Sequence, residues 1–237
     1  MKPSDHIFVA LDLTDQNEAR ALARRLAGHV GGFKLGLEYF AANGPDAVRI
    51  IVDSGLKVFL DLKLHDIPNT VAGSLGAAVA TGASIINVHA SGGLDMMRAA
   101  GEAAVEGAER HGVAKPIVVA VTVLTSMDAL DLDMVGQHGS VDEQVIRLAR
   151  LTKEAGLDGV VCSPAETAAV RDTCGEDFVR IVPGIRPSWA ARDDQKRITT
   201  PRQALEAGAT YLVIGRPITQ SDDPVEAAFR IAGEMAE

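Results

Sequence analysis

Short apolar runs rich in β-branched residues alternate with longer amphipathic stretches along the whole 237-residue chain. This alternation is typical of βα units, in which each buried parallel strand is followed by a helix that covers the sheet. The runs that fit strands are 6–11, 33–36, 57–62, 84–89, 116–123, 159–162, 180–183 and 211–215. The helical candidates include 15–26, 71–80, 95–110, 143–155, 164–172, 201–206 and 225–235.

Eight βα units in about 240 residues predict one (β/α)8 barrel, a TIM barrel, spanning 1–237 as a single domain. A doubly wound sheet is the structural alternative, but no GxGxxG motif follows the first strand. The stretches 125–139 and 184–200 are longer than ordinary connections, so we expect functional loops there.

The composition favours a soluble globular protein, with 47% hydrophobic and 23% charged residues. The net charge of −9, without a basic run, argues against nucleic acid as a partner. Apolar runs are too short for a membrane span, and the N-terminus lacks a signal-peptide core, so we expect a cytoplasmic protein. Cys162 and Cys174 have neither zinc-site spacing nor the pattern of a disulfide framework.

Charged residues concentrate at predicted strand ends, where barrels place their active sites. Asp61 and Lys63 are two apart on the third strand and therefore share one face, which we expect to be the barrel interior. With Lys34 on the second strand and Asp66 just beyond the third, they would form two ammonium groups and two carboxylates in a small volume. A structural ion pair is the simpler alternative, but such clusters are typical of proton-transfer sites.

The histidines are weaker candidates for site residues than the charged cluster. His65 lies beside the charged cluster, but we do not expect the strand to continue that far with Pro68 so near, and a structural role is favoured. His89 ends the fourth strand and could lie at the pocket rim. No metal-ligand spacing links the histidines, so the sequence predicts no metal site.

The loops after the last two strands predict phosphate binding. They read Pro-Gly-Ile-Arg-Pro, ending in Arg186 and Pro187, and Ile-Gly-Arg-Pro, which contains Gly215 and Arg216. Barrels commonly bind phosphate at these two loops, where glycine lets the backbone approach and arginine offers a bidentate fork.

The segment 61–70, Asp-Leu-Lys-Leu-His-Asp-Ile-Pro-Asn-Thr, resembles the signature of the orotidine 5′-phosphate decarboxylase family in its bacterial form. Further similarity covers the whole chain, in VALD at 9–12, FKLG at 33–36, VTVLTS at 121–126, PGIRP at 183–187 and GRPIT at 215–219. None of these positions departs from the bacterial pattern.

The resemblance implies the catalytic roles. Lys63 would be the proton donor, flanked by Asp61, with Lys34 and Asp66 completing the charged array. It also implies a homodimer in which Asp66, with Ile67 and Thr70, reaches the partner's site.

The resemblance also implies the binding roles. Asp12 and Lys34 would contact the ribose hydroxyls of orotidine 5′-phosphate, and Thr125 would meet its pyrimidine. The phosphate would be held by a further set of residues, which would also help close the loop after the seventh strand: Arg186, Gln195, Gly215 and Arg216.

The implied reaction is loss of CO₂ from the pyrimidine to give UMP, in pyrimidine synthesis, without cofactor or metal. Because no electron sink is evident, a fixed Lys63 ammonium would stabilise negative charge at C6 and then protonate it. The nearest alternative is a Mg²⁺-dependent sugar-phosphate enzyme such as 3-keto-L-gulonate 6-phosphate decarboxylase, which shares the D-x-K-x-x-D spacing. A non-catalytic phosphate-binding barrel is a second alternative.

Overall fold

The computed structural model describes residues 1–190 and 199–236. Its strands are β1 (Ile7–Ala10), β2 (Gly32–Gly36), β3 (Val58–Leu64), β4 (Ile85–His89), β5 (Ile117–Val121), β6 (Gly159–Val161), β7 (Val179–Val182) and β8 (Tyr211–Ile214). All pair in parallel and in chain order, and β1 pairs with both β2 and β8. The sheet is therefore a closed barrel, and the expected (β/α)8 fold is confirmed.

Helices follow the strands around the outside. Within the described residues they are α1 (Gln16–Leu26), α2 (Leu37–Val52), α3 (Pro68–Val79), α4 (Leu94–His111), α5 (Ala129–Met134), α6 (Val141–Glu154), α7 (Thr167–Cys174), α8 (Pro201–Glu206), α9 (Arg216–Thr219) and α10 (Pro224–Ala236). The α2 element is two helical segments that meet at Gly44, where φ is 70° and Pro45 follows.

Local sequence explains several helix starts. The Asp15 carboxylate accepts hydrogen bonds from the backbone N–H groups of Asn17 and Glu18 and so begins α1. Ser140 and Glu143 form a reciprocal capping box that begins α6. Such caps satisfy N–H groups that have no partner inside the helix. These short-range signals account for helix starts that fall close to the expected positions.

The largest differences from expectation lie at the ends of elements. The third strand reaches Leu64 rather than residue 62, and α3 begins at Pro68 rather than at residue 71. Proline suits the first turn of a helix because the N–H that it lacks would be unpaired there. Part of the long connection after β5 folds as the short helix α5, capped by Asp128.

The barrel interior has an apolar layer below a polar one. A cluster inside the barrel, separate from the core between sheet and helices, contains Phe8, Ala10, Phe59, Ile85, Val119, Ile181 and Val213. Asp61 and Asn87 lie two residues beyond Phe59 and Ile85 on the same strands, and a strand returns its side chains to one face every second residue. The polar layer therefore lies at the carboxyl ends of the strands.

No helix in the described part of the chain is both long enough and apolar enough to cross a membrane.

Cys162 and Cys174 are buried free thiols, and burial raises the pKa of Cys162 to about 12. A thiol with so high a pKa is an inert core group rather than a nucleophile.

Candidate active site

Four charged side chains meet at the mouth of the barrel. The Lys34 Nζ lies 3.0 Å from Asp12 Oδ1 and 3.5 Å from Asp61 Oδ2. The Lys63 Nζ lies 2.7 Å from the other Asp61 oxygen, Oδ1. Carboxylates and ammonium groups therefore alternate from Asp12 through Lys34 and Asp61 to Lys63. We call these four residues the charged array.

Burial and charge act in opposite directions on Asp61, whose side chain is 11% exposed. Burial raises the pKa of this carboxyl. The charges of Lys34 and Lys63, together with hydrogen bonds from Lys63 and Asn87, lower the pKa by a larger amount. The net pKa is below the ordinary value, so Asp61 stays ionised and keeps an anion against both lysines.

Asn87 organises the array and was missed by sequence reasoning. Its side chain is fully buried, its Nδ2 donates to Asp61 Oδ1 at 2.7 Å, and its Oδ1 accepts from the Lys63 backbone N–H at 2.8 Å. The signal was an amide in the middle of an otherwise apolar strand, where a buried polar group requires partners.

Lys63 occupies a strained backbone conformation, with a φ of 51°. The pairing of β3 with β4 shifts register between Leu60 and Leu64, so the strand is irregular at this lysine. The left-handed region costs a non-glycine residue roughly 1–2 kcal/mol and persists where surrounding contacts hold it, often in functional sites. Gly36 supplies room nearby, because a Cβ there would lie 2.9 Å from the Lys34 Nζ.

Asp66 does not join the array within the chain. Its carboxylate is exposed and accepts a hydrogen bond from the backbone N–H of Ile67 at 2.7 Å. Among the described residues, no ion pair links Asp66 to Lys34 or Lys63; Asp12 supplies the second carboxylate instead. Ile67 is 66% exposed, and Thr70 lies exposed in the first turn of α3.

The rings of His65 and His89 lie next to each other beside the array, with centroids 5.4 Å apart and planes tilted by 31°. The third strand ends before His65, as expected, and His89 is the last residue of β4. Burial first, then the positive potential of His65 and Lys63, lowers the pKa of His89, against an opposing effect of Asp61. His89 is therefore a neutral ring at the edge of the site.

The predicted phosphate residues lie on neighbouring loops after β7 and β8. Arg186 is only 7% exposed, and its backbone N–H donates to the Thr199 carbonyl at 3.1 Å. Gly215 caps α9, of which Arg216 is the first residue. Thr125 is exposed in the connection after β5, whereas the expected phosphate ligand Gln195 lies outside the described residues.

No group of three or more histidine, cysteine, aspartate or glutamate side chains in the described part of the chain is arranged to hold a metal ion. The two carboxylates of the charged array are already in contact with lysine ammonium groups. Lysine ammonium groups held against carboxylates in this way can stabilise negative charge and donate a proton.

A closed barrel with lysines and carboxylates in contact at the carboxyl ends of its strands, and arginines on the last two loops, has the layout of a TIM-barrel enzyme active site. Residues 5–231 match the model of the orotidine 5′-phosphate decarboxylase / HUMPS family. The chain belongs to this family, which confirms the resemblance and the assignment of the chain as an enzyme.

Relatives match over nearly the whole chain. An orotidine 5′-phosphate decarboxylase of Paramagnetospirillum magneticum is 54% identical over 229 residues, covering 97% of each chain. That of Moorella thermoacetica is 51% identical, covering 99% of this chain and 94% of its own. The crystal structure of the Lactobacillus acidophilus orotidine 5′-phosphate decarboxylase, 36% identical, superposes with a TM-score of 0.85 over 98% of this chain and 99% of its own.

Proposed function

We propose that this chain converts orotidine 5′-phosphate to UMP and CO₂ in pyrimidine synthesis, with Lys63 as proton donor and without a cofactor. The observation that carries the proposal is the Lys63 ammonium held 2.7 Å from an ionised, buried Asp61 at the barrel mouth. The strained backbone and the Asn87 hydrogen bond further restrict where this ammonium lies.

The reaction requires charge stabilisation more than bond-making by the protein. The bond from C6 to the carboxylate breaks, its electron pair stays on C6, and CO₂ leaves. The Lys63 ammonium stabilises that pair and then transfers a proton to C6, which yields UMP. Because the lysine is fixed before the reaction, little reorganisation opposes the developing charge. Lys63 regains its proton from water.

Asp61, Lys34 and Asp12 support this step in different ways. Asp61 orients the Lys63 ammonium through one carboxylate oxygen, and Lys34 contacts the other oxygen of Asp61. Asp12 is 56% exposed at its side chain and directs its carboxylate to the Lys34 ammonium. At this edge of the array, the Asp12 carboxylate would accept hydrogen bonds from the ribose hydroxyls and the Lys34 ammonium would donate to them. Thr125 would contact the pyrimidine from the loop after β5.

Arg186 supports the phosphate part of the proposal. Its side chain is buried, yet within residues 1–190 and 199–236 its guanidinium forms no hydrogen bond or ion pair. Burial removes part of the hydration of a cation, so a nearby anion stabilises it. The substrate phosphate would fill that role, with the Gly215 backbone, Arg216 and Gln195 as further ligands.

The homodimer is part of the proposal. Ile67 exposes two thirds of its surface directly after Asp66, at the edge of the site. A groove of about 900 Å³ adjoins this segment between α2, α3 and α4, lined mainly by small residues such as Ala72, Gly73 and Ala77. A second copy seated there would cover the apolar surface and bring Asp66 and Thr70 towards the partner's site.

The absence of a cofactor is proposed from the donor set. A divalent cation at the array would have to displace lysine ammonium groups that already contact both carboxylates, and hard cations require several oxygen ligands. The cytoplasmic location stays a prediction from the sequence.

An absorbance assay on orotidine 5′-phosphate, with and without EDTA, tests the function. We expect turnover that survives exhaustive chelation. A requirement for Mg²⁺, with activity on 3-keto-L-gulonate 6-phosphate instead, would assign the chain to the sugar-phosphate branch. Tight UMP binding without turnover would indicate a non-catalytic phosphate-binding barrel.

A further inference from the structure

The C-terminal helix α10 contacts the segment after β7 at two points. The Arg230 guanidinium carbon lies 4.2 Å from the centroid of the Trp189 ring. Both oxygens of the Glu234 carboxylate lie 3.4 Å from the backbone nitrogen of Ser188, which donates to them. Arg230 and Glu234 are four residues apart and so lie on the same side of the helix.

These contacts are close to Arg186 along the chain. Ser188 is two residues beyond it, a distance of at most about 7 Å in an extended chain. On its other side, Ile185 pairs with Thr199, and the Arg186 N–H donates to the Thr199 carbonyl. The arginine backbone is thus held between a bridge on one side and α10 on the other.

The same helix packs against α9, which begins at Arg216. One helix therefore contacts both loops that carry the proposed phosphate arginines. The Trp189 contact lies at the surface, with the residue 37% exposed, so its effect on global stability should be small. A contact of this kind affects local position more than the folding equilibrium.

We propose that Arg230, by stacking on Trp189, is a positioning residue that fixes Arg186 for the substrate phosphate, with Glu234 holding Ser188 in support. This inference rests on the proposed function. It assigns to α10, which bears no reacting group, a role in the phosphate half of the binding site.

The test compares Arg230→Gln, Arg230→Lys and Trp189→Ala with the wild type. Arg25→Ala is the control, because it removes an exposed arginine that lies 3.7 Å from Asp223 just before the other end of α10. Kinetics on orotidine 5′-phosphate give KM and kcat separately. Calorimetry with UMP and with uridine, which differ only by the phosphate, isolates the phosphate contribution.

For Arg230→Gln and Trp189→Ala we expect KM and the UMP Kd to rise roughly two- to fivefold, as loss of a cation–π contact predicts. The kcat at saturation and the uridine Kd should stay within about twofold of wild type. Arg230→Lys should retain most of the wild-type affinity, and Arg25→Ala should match wild type. A double variant that combines Arg230→Gln with Trp189→Ala should be no worse than Trp189→Ala alone, because both changes remove the same contact.

Equal weakening of UMP and uridine, or an unchanged KM in both variants, would overturn the inference. A loss of the same size in Arg25→Ala would attribute the effect to surface charge and also overturn it. A wild-type enzyme without turnover of orotidine 5′-phosphate would contradict the proposed function, while the calorimetry would still decide whether Arg230 acts through the phosphate.

Discussion

Asn87 holds Lys63 in a left-handed backbone conformation by accepting a hydrogen bond from its N–H at 2.8 Å. The same amide donates to the carboxylate that contacts the Lys63 ammonium. One buried side chain thus fixes both the backbone and the charge partner of the proposed proton donor.

Lys63→Ala should reduce kcat by more than about a thousandfold, since proton transfer and charge stabilisation each contribute at least a hundredfold. UMP should still bind, because the phosphate is held by other residues. Steady-state kinetics and calorimetry measure the two effects. Lys115→Ala is the control. Lys115 lies just before β5, at the opposite end of the barrel, and forms an ion pair with Asp158. Retention of more than about a thousandth of the activity would exclude Lys63 as the principal acid.

Asn87→Leu should lower the free energy of unfolding by about 1–3 kcal/mol, because it leaves the partly buried Lys63 N–H and the buried Asp61 carboxylate without the Asn87 partner. The kcat should fall as well, as Lys63 loses its fixed position. Urea denaturation and kinetics check both effects. Thr152→Val is the matched control, since it removes a fully buried hydroxyl that donates within α6, away from the site. Loss of stability with an unchanged kcat would limit Asn87 to a structural role.

His89 should make the protein less stable as pH falls below about 6.5. Burial and the positive charges of His65 and Lys63 depress its pKa in the folded state, so the unfolded chain binds the proton first. Stability is therefore lost from the unfolded pKa of 6.5 down towards the lower folded pKa. His89→Phe, which keeps an aromatic ring beside His65, should lose less stability between pH 7 and pH 5 in urea titrations. Parallel pH curves for the two proteins would contradict this.

Arg186→Gln should weaken UMP binding roughly 10- to 150-fold, the range for a charge-assisted hydrogen bond. The free energy of unfolding should change little, because the Arg186 guanidinium forms no hydrogen bond or ion pair with the described residues. Calorimetry and urea denaturation provide the two values. Arg202→Gln, which removes an exposed ion pair with Glu206, should change neither. Unaltered UMP affinity in Arg186→Gln would exclude it as a phosphate ligand.

Subunit exchange should reveal whether Asp66 acts across a dimer. Lys63→Ala and Asp66→Ala homodimers should each be nearly inactive. Random exchange pairs one subunit of each variant in half of the dimers. Each of these mixed dimers has one intact site of two, so about a quarter of wild-type activity should return under C₂ pairing. No recovery, with exchange verified by native mass spectrometry, would place Asp66 in its own chain's site.

The barrel was predictable because its signals are local and repeated. Each strand and helix pattern can be read within about ten residues, and the number of βα units leaves few architectures. Asp61 and Lys63 were also predictable as a pair, because the side-chain period of a strand places them on one face, and they lie in contact at 2.7 Å.

The composition of the charged array depended on tertiary structure. The residue pattern placed Asp66 with the two lysines, but the chain turns after Leu64, and Asp12 from β1's end contacts Lys34 instead. Asn87 binds Lys63, which is 24 positions away along the chain. Arg230 contacts Trp189, which is 41 positions away. Periodicity along the chain determines which face a side chain occupies, whereas barrel closure and register between strands decide which distant side chains meet on that face.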